Sequence, residues 1–136
     1  MNDEKRISVV LVKAGCKAQQ LEITGSLKSM QNIVKGNIEM VMPFDDDAAL
    51  IVNEEGKIRG LPLNRALYDS KGTLADVIAG DFFICRAQDD SDGFESLTDK
   101  QKEKYMKMFA EPEKITATHR GIIVSKSEKD TQIYVR

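Results

Sequence analysis

The amino-acid sequence predicts an α+β fold, with a mixed or mainly antiparallel sheet of about five to seven strands and two principal helices. Short apolar runs rich in β-branched residues alternate with Gly, Asn and Asp turns, a pattern typical of strands that pair as hairpins. Two stretches, residues 26–35 and 99–109, instead show helical periodicity behind a capping residue. The length of 136 residues predicts a single domain that buries a core without a metal or a disulfide.

The first half of the chain predicts a hairpin, a helix and two further strands. Gly15 accepts the positive φ of a tight turn between the first two strands. Ser26 is the predicted N-cap of the first helix, and Gly36 stands where a left-handed C-cap belongs. An acidic turn at residues 44–47 separates the next two strands. Strands are predicted over residues 7–13, 17–24, 37–43 and 48–53.

The second half predicts a less regular middle followed by the second helix. Gly60 and Pro62 interrupt any regular ladder, so residues 64–69 are expected to form a helical turn. Thr98 and Gln101 have the spacing of a capping box and place the start of the second helix. Further strands are predicted over residues 81–87, 121–125 and 131–135, the last two as a C-terminal hairpin within an extension at residues 110–136.

The strand registers also predict a core. Alternate residues of a half-buried strand face the same side, so each register selects one apolar set. The predicted core contains Val9, Leu11, Leu21, Ile23, Met40, Leu50, Val52, Phe82 and Ile84.

Composition and charge exclude several classes of protein. With 41% hydrophobic and 31% charged residues, the chain is expected to fold rather than to remain disordered. A net charge of -2 lacks the cationic field that non-specific nucleic-acid binding requires. No apolar run reaches the roughly 18 residues of a membrane span. The two isolated cysteines and the polar first residues, without a signal peptide, predict a cytoplasmic location.

The sequence contains no recognisable catalytic or metal-binding motif, and we expect neither a catalytic residue nor a cofactor. His119 is the single histidine, and its neighbours form no nucleophile motif. A calcium loop aligned on Gly93 fails at both ends, because Gln88 and Asp99 occupy the terminal ligand positions. Residues 45–47 are three consecutive aspartates, which predict a polar turn and leave paired carboxylates around a metal as the alternative.

The segment at residues 60–69 carries the best mixture of binding groups. Asn64, Arg65 and Tyr68 offer an amide, a guanidinium and a phenol, which suit a nucleotide-like ligand. We therefore predict these three side chains as ligand-binding residues, with Asn53 as a neighbour across the hairpin. In the alternative interpretation Asn64 caps a short helix and Arg65 pairs with Asp69 four residues later.

Several blocks of sequence, in order, resemble a small domain of unknown function found in phages and mobile elements, DUF3846. The blocks are LKSMQNIVKG (27–36), PFDDDAALIVNEEGK (43–57), GLPLNRALYD (60–69), DVIAGDFFI (76–84) and SLTDKQKEKYMKMF (96–109). The resemblance covers residues 6–109 and leaves residues 110–136 outside. It implies a protein of a bacteriophage or of a conjugative or integrated element. It implies no reaction and supplies no catalytic residues.

The leading functional hypothesis is a non-enzymatic binding protein that counters a host defence system. Its partner would be a host defence protein, which it blocks, or a small nucleotide-like signal, which it sequesters. A metal-dependent hydrolase or nucleotide-modifying enzyme that uses clustered aspartates is the second hypothesis. An acidic mimic of DNA, built on the Asp-rich residues 81–99, is the third.

Overall fold

The computed structural model describes residues 5–87, 93–126 and 132–135, the last of these as backbone alone. Within those ranges the chain forms two helices and three antiparallel sheets of five, three and two strands, which confirms the predicted α+β class. The helices are α1 (Leu27–Val34) and α2 (Asp99–Met108). The strands are β1 (Arg6–Val12), β2 (Gln19–Thr24), β3 (Ile38–Val41), β4 (Ala48–Asn53), β5 (Leu63–Tyr68), β6 (Leu74–Ala79), β7 (Phe82–Arg86), β8 (Lys114–Thr118), β9 (Gly121–Ser125) and β10 (Gln132–Val135).

The five-stranded sheet has the order β2-β1-β7-β4-β3 and is covered on both faces. Every residue of β4 is buried, as expected for a central strand without polar alternation. On one face, α1 contributes Met30 and Val34 to an apolar cluster with β1, β4 and β7. On the other face, Tyr105 and Phe109 from the second helical segment join Leu67 and Ile78 of the β5–β6 hairpin over the sheet. The core therefore lies in two layers, one on each side of this sheet.

Both helices begin where the sequence predicts, while the first ends differently. The Ser26 hydroxyl accepts a hydrogen bond from the Ser29 N–H at 3.1 Å, and Thr98 and Gln101 form the predicted capping box. The left-handed C-cap of α1 is Lys35, with φ of 63°, so its assignment to Gly36 was wrong. Glycine is required at residue 36 for another reason, because a Cβ there would lie 2.7 Å from Asn53 Nδ2.

Residues 64–69 do not form the expected helical turn. They belong mostly to β5, which pairs with β6 across a turn where Gly72 has φ of 80°. Asp69 Oδ1 accepts hydrogen bonds from the N–H groups of Lys71 and Thr73, both at 2.9 Å, and so stabilises that turn. Pairing with β6 stabilises the strand conformation of these residues. A short stretch of sequence does not show which strand it will pair with.

Seven of the nine predicted core residues are buried, and the two exceptions share a cause. Leu21 is 39% exposed and Met40 is 48% exposed. Both lie on outer strands, β2 and β3, at the two edges of the five-stranded sheet. Their patterns are those of half-buried strands, but α1 covers mainly the sheet centre. The predicted burial of Leu21 and Met40 was therefore wrong.

The C-terminal extension forms more than the predicted hairpin. Besides β9 and β10 it contains β8, and together they make the three-stranded sheet in the order β10-β9-β8. The extension is joined to the rest of the chain by Glu113, whose carboxylate accepts a hydrogen bond from the buried Ala66 N–H at 3.0 Å. The extension thus supplies an acceptor to a backbone N–H of β5.

Candidate functional site

Two of the four predicted ligand-binding residues form a fully buried polar network. Asn64 and Arg65 each have 0% exposure. The Asn64 amide donates to the carbonyls of Val12 and Gly80, both at 2.9 Å. The Arg65 guanidinium donates to the Cys16 carbonyl at 2.6 Å. These donors thus satisfy backbone groups within the fold rather than facing solvent.

The remaining contacts of Arg65 use most of its hydrogen-bond donors, and a carboxylate lies near its positive charge. It donates to the Phe109 carbonyl at 3.1 Å and to Asn64 Oδ1 at 2.9 Å, while its Nε is buried without a hydrogen-bond partner. Burial lowers the pKa of Arg65, and the nearby Glu113 carboxylate acts in the opposite direction. The pairing of Arg65 with Asp69, expected in the alternative interpretation, is absent among the ion pairs of the described residues.

The other two predicted ligand-binding residues are separate from this network. Asn53 is buried, and its amide donates to the Val34 carbonyl at 2.9 Å, which ties the end of α1 to β4. Tyr68 is half-buried at the end of β5. No hydrogen bond among the described residues links Asn53 to Asn64 or Arg65. Ligand binding by the four residues stays a prediction. Asn64, Arg65 and Asn53 have hydrogen bonds within the fold that explain their burial.

The aspartates of residues 45–47 are organised around Asp46. Its carboxylate accepts from the Tyr105 hydroxyl at 2.8 Å and from Lys104 Nζ at 3.2 Å. Burial acts to raise the pKa of Asp46, but these hydrogen bonds outweigh it and hold the pKa below its usual value. For Tyr105, burial and the Asp46 carboxylate both raise the pKa. Asp46 therefore anchors the turn to α2, as a polar turn interpretation predicts.

The potential nucleophiles do not form a catalytic group among the described residues. Cys85 is fully buried, and burial raises the pKa of its thiol to about 12, so the thiolate is disfavoured at neutral pH. Cys16 and His119 are exposed in turns and have no described hydrogen-bond partner for their side chains. No group of three His, Cys, Asp or Glu side chains within the described ranges has the arrangement of a metal site. The calcium-loop candidate falls partly on residues 88–92, outside the described residues.

A groove of ligand size lies between α1 and β2, on the face of the five-stranded sheet that α1 covers. We call it the α1–β2 groove, and its volume is about 530 Å³. Its apolar floor and wall are Leu11, Leu21, Ile23 and Ile33. Leu21 is exposed because α1 leaves this part of β2 uncovered, whereas Ile23 of the same strand is buried in the cluster with α1. The residue whose burial was wrongly predicted therefore lies on the floor of this groove, and no local signal in the sequence distinguishes it from a core leucine.

The rim of the α1–β2 groove carries more positive than negative side chains. Lys13, Lys35 and Asp81 lie at one end, where Lys35 Nζ is 3.7 Å from Asp81 Oδ2. Asp81 Oδ1 also accepts from the Ala14 N–H at 3.0 Å, which fixes the carboxylate in place. Arg6 stands on the rim beside Glu22, its Nε 3.6 Å from a carboxylate oxygen.

Lys13 is the cation most available to a ligand in this groove. It is exposed and forms no ion pair with any described residue. The Lys35–Asp81 contact is long and its lysine is largely exposed, so competition from a ligand anion costs little. The polar side chains Thr24, Ser29 and Asn32 also line the groove. The arrangement suits a ligand with an apolar or planar body and an anionic group at one end.

Comparison with known families gives one match. The model of the family described as domain of unknown function (DUF3846) matches residues 7–110. The chain belongs to this family. The DUF3846 region contains all of the α1–β2 groove except Arg6, and the match ends just after α2, so β8, β9 and β10 lie outside it. No curated protein and no solved structure matches the chain.

Neither α1 nor α2, the two helices of the described ranges, has the length and apolarity needed to cross a membrane.

Proposed function

We propose that the protein is a non-enzymatic binding protein of a phage or mobile element. In the bacterial cytoplasm it counters a host defence system by sequestering a nucleotide-like anion in the α1–β2 groove. The observation that carries the proposal is the combination of an apolar floor with two lysines at one end of the groove. The phage or mobile-element setting comes from the sequence resemblance, and the groove suggests the ligand.

The size and shape of the groove support a small-molecule ligand. Its volume of about 530 Å³ falls in the range of roughly 300–1,000 Å³ typical of small-molecule sites. The exposed Leu21 and the half-buried Ile33 present apolar surface on which a planar base packs, while Leu11 and Ile23 are themselves buried. The phosphate of such a ligand then lies beside Lys13 and Lys35.

The charge distribution supports an anion over a cation. Lys13 has no carboxylate partner among the described residues, while the single carboxylate near it, Asp81, is already held by Ala14 and Lys35. A phosphate supplies the missing counter-charge and accepts hydrogen bonds from both lysines. The overall charge of -2 is compatible with this local site because the attraction acts at short range.

The two alternative functions gain no support from the described residues. The hydrolase hypothesis places clustered aspartates around a metal, and no group of three His, Cys, Asp or Glu within the described ranges has the arrangement of a metal site. The Asp46 carboxylate is held by Tyr105, Lys104 and the Ala48 N–H. The DNA-mimic hypothesis needs an acidic stripe over residues 81–99, and residues 88–92 of that segment lie outside the described ranges.

The first test is whether the protein holds a nucleotide at all. Native mass spectrometry of protein purified from a bacterial host reports any retained small molecule by its added mass. Isothermal titration calorimetry with nucleoside monophosphates, nucleoside diphosphates and cyclic dinucleotides then measures affinity. The proposal is wrong if no mass is retained and none of these probes binds.

The second test locates the site by charge reversal. The double variant Lys13→Glu/Lys35→Glu removes both phosphate donors, and we expect affinity to fall by more than about 10-fold because each charged hydrogen bond contributes roughly 1.5–3 kcal/mol. Lys28→Glu/Lys71→Glu is the matched control, since both lysines are exposed and neither lines the groove. Equal affinity for both variants would place the ligand elsewhere. Phage infection of a host with nucleotide-signalled defence, with each variant expressed, tests the biological role.

A further inference from the structure

A second groove lies at the opposite edge of the five-stranded sheet, between β3 and β6. We call it the β3–β6 groove, and its volume is about 270 Å³. Its apolar floor is Val41, Val52, Leu67 and Ile78, where the core layer between the two sheets opens to solvent. Ile58 lines its mouth and is 86% exposed. The groove therefore offers apolar surface with no described partner covering it.

The rim of the β3–β6 groove is acidic. Glu39, Glu54 and Glu55 line it, and none of them forms an ion pair with a described residue. The fourth acidic residue, Asp76, is paired with Lys57, the single lysine of the rim. The charge of this rim is thus opposite to that of the α1–β2 groove. It favours a cationic occupant and disfavours a nucleotide.

The outer edge of β3 supplies main-chain hydrogen-bonding groups next to this rim. β3 is the terminal strand of the sheet, and no described strand pairs with its outer side. The Glu54 N–H donates to the Asn37 carbonyl at 2.9 Å, and Glu39 pairs with Val52 in the same register. Because backbone groups alternate in direction along a strand, the N–H and C=O of Met40 point away from β4, toward the open edge.

We propose that this edge binds an extended, basic segment of a partner protein by strand addition, with its alternate lysine or arginine side chains facing the β3–β6 groove. A residue opposite Glu39 lies on the groove side of the sheet, where a cation meets the three unpaired carboxylates. Its neighbours in the segment lie on the other face beside Met40, which is 48% exposed, and apolar side chains fit there. The site recognises an alternating apolar and basic pattern.

A second copy of this chain is disfavoured as the occupant. Pairing two β3 edges would bring Glu39, Glu54 and Glu55 of both copies together without compensating cations. A basic segment removes that repulsion and leaves the main-chain pairing unchanged. The proposal does not depend on the function of the α1–β2 groove.

The test uses a fluorescein-labelled peptide with three Val-Lys repeats and the full-length protein. Fluorescence anisotropy measures binding, and a Val-Glu repeat peptide serves as the charge control. We expect the Val-Lys peptide to bind and the Val-Glu peptide not to bind. N-methylation of alternate peptide nitrogens should abolish binding, because it removes the donors of a strand-addition complex without changing charge.

Charge reversal on the protein separates this groove from general attraction. The double variant Glu39→Lys/Glu54→Lys should lower the affinity for the Val-Lys peptide by more than about 10-fold. Glu103→Lys/Glu111→Lys makes the same change in net charge at exposed positions elsewhere and should bind like the unmodified protein. Equal weakening by both pairs would overturn the proposal, as would the absence of any binding.

Amide hydrogen exchange checks the edge directly. Exchange at the Met40 N–H should slow when the Val-Lys peptide is bound, since this group then donates to the peptide backbone. Unchanged exchange at Met40 would contradict strand addition even if the peptide binds. Analytical ultracentrifugation without peptide gives the remaining outcome: a dimer dispersed by Met40→Pro would identify a second copy as the occupant and overturn the proposal.

Discussion

Arg65 is a buried cation whose contacts join distant parts of the chain. Its guanidinium reaches the carbonyl of Cys16, beyond the end of β1, and that of Phe109, at the end of α2. A buried arginine carries a large desolvation cost, and here several acceptors and the negative charge of Glu113 offset part of it. The polar residues that suggested a ligand site in the sequence are thus used to hold the hairpin, the helix and β5 together.

Arg65→Ala should lower the stability of the protein. The substitution leaves buried carbonyls without donors and creates a cavity, so we expect a loss of about 3 kcal/mol in the free energy of unfolding. Urea denaturation followed by circular dichroism measures it. Arg120→Ala is the control, because Arg120 is exposed in the turn between β8 and β9. A variant as stable as the control would contradict this structural role and favour the predicted ligand-binding role of Arg65.

The pair of Asp46 and Tyr105 should make stability depend on pH at both ends of the range. The folded-state pKa of Asp46 lies below its usual 3.8, so its contribution is present above that pH and is lost as pH falls through the folded value. The folded-state pKa of Tyr105 is raised from 10.0, so its contribution is present below pH 10.0 and is lost as pH rises further.

Tyr105→Phe tests this coupling because it removes the hydroxyl and retains the ring. The free energy of unfolding of this variant should be lower than that of the unmodified protein by about 1–2 kcal/mol near neutral pH. This difference should shrink in strong acid. Asp46→Asn should likewise make the free energy of unfolding depend less on pH in the acid range. A difference independent of pH would contradict this account, because the contribution of the hydroxyl would then not depend on the charge of the Asp46 carboxylate.

At the scale of elements, the sequence predicts those strands and helix ends that local residue patterns determine. Residues 48–53 match β4, and Thr98 with Gln101 places the start of α2, because a buried apolar run and a capping box are both local patterns. Residues 64–69 were predicted wrongly because their strand conformation depends on β6, which follows in the chain.

Both grooves lie at outer strands of the five-stranded sheet, where local sequence patterns do not predict which apolar residues are exposed. Leu21 on β2 and Met40 on β3 have the periodicity of core residues, yet both are exposed because they stand on the outer strands of the sheet. Which strands are outermost follows from the order β2-β1-β7-β4-β3, which no short stretch of sequence contains. The exposed apolar residues therefore became visible as candidate binding surfaces only in the folded chain.

At the scale of the whole molecule, the extension beyond the DUF3846 match is linked to the core by the Glu113 carboxylate, by the Glu111–Lys17 ion pair and by contacts between β8 and β5. Glu113 is 8% exposed, accepts a hydrogen bond from the Ala66 N–H and acts on the pKa of Arg65 more strongly than Glu111 does. The family match ends at residue 110, so a chain of residues 1–110 keeps the matched region and loses this carboxylate. The buried Arg65 is then left with less compensation for its charge.

We therefore expect the chain of residues 1–110 to unfold at a lower urea concentration than the full chain, with a loss of about 3 kcal/mol or more. Glu113→Gln in the full chain separates charge from chain length, because the glutamine retains an oxygen acceptor for Ala66 and removes the negative charge facing Arg65. If charge compensation is the main contribution of the extension, Glu113→Gln should reproduce most of the loss, while Glu55→Gln, at an exposed position away from Arg65, should not. Equal stability of the short and full chains would contradict this account and identify residues 111–136 as an independent module. A large loss on truncation with none for Glu113→Gln would assign the contribution to packing of β8 against β5 instead.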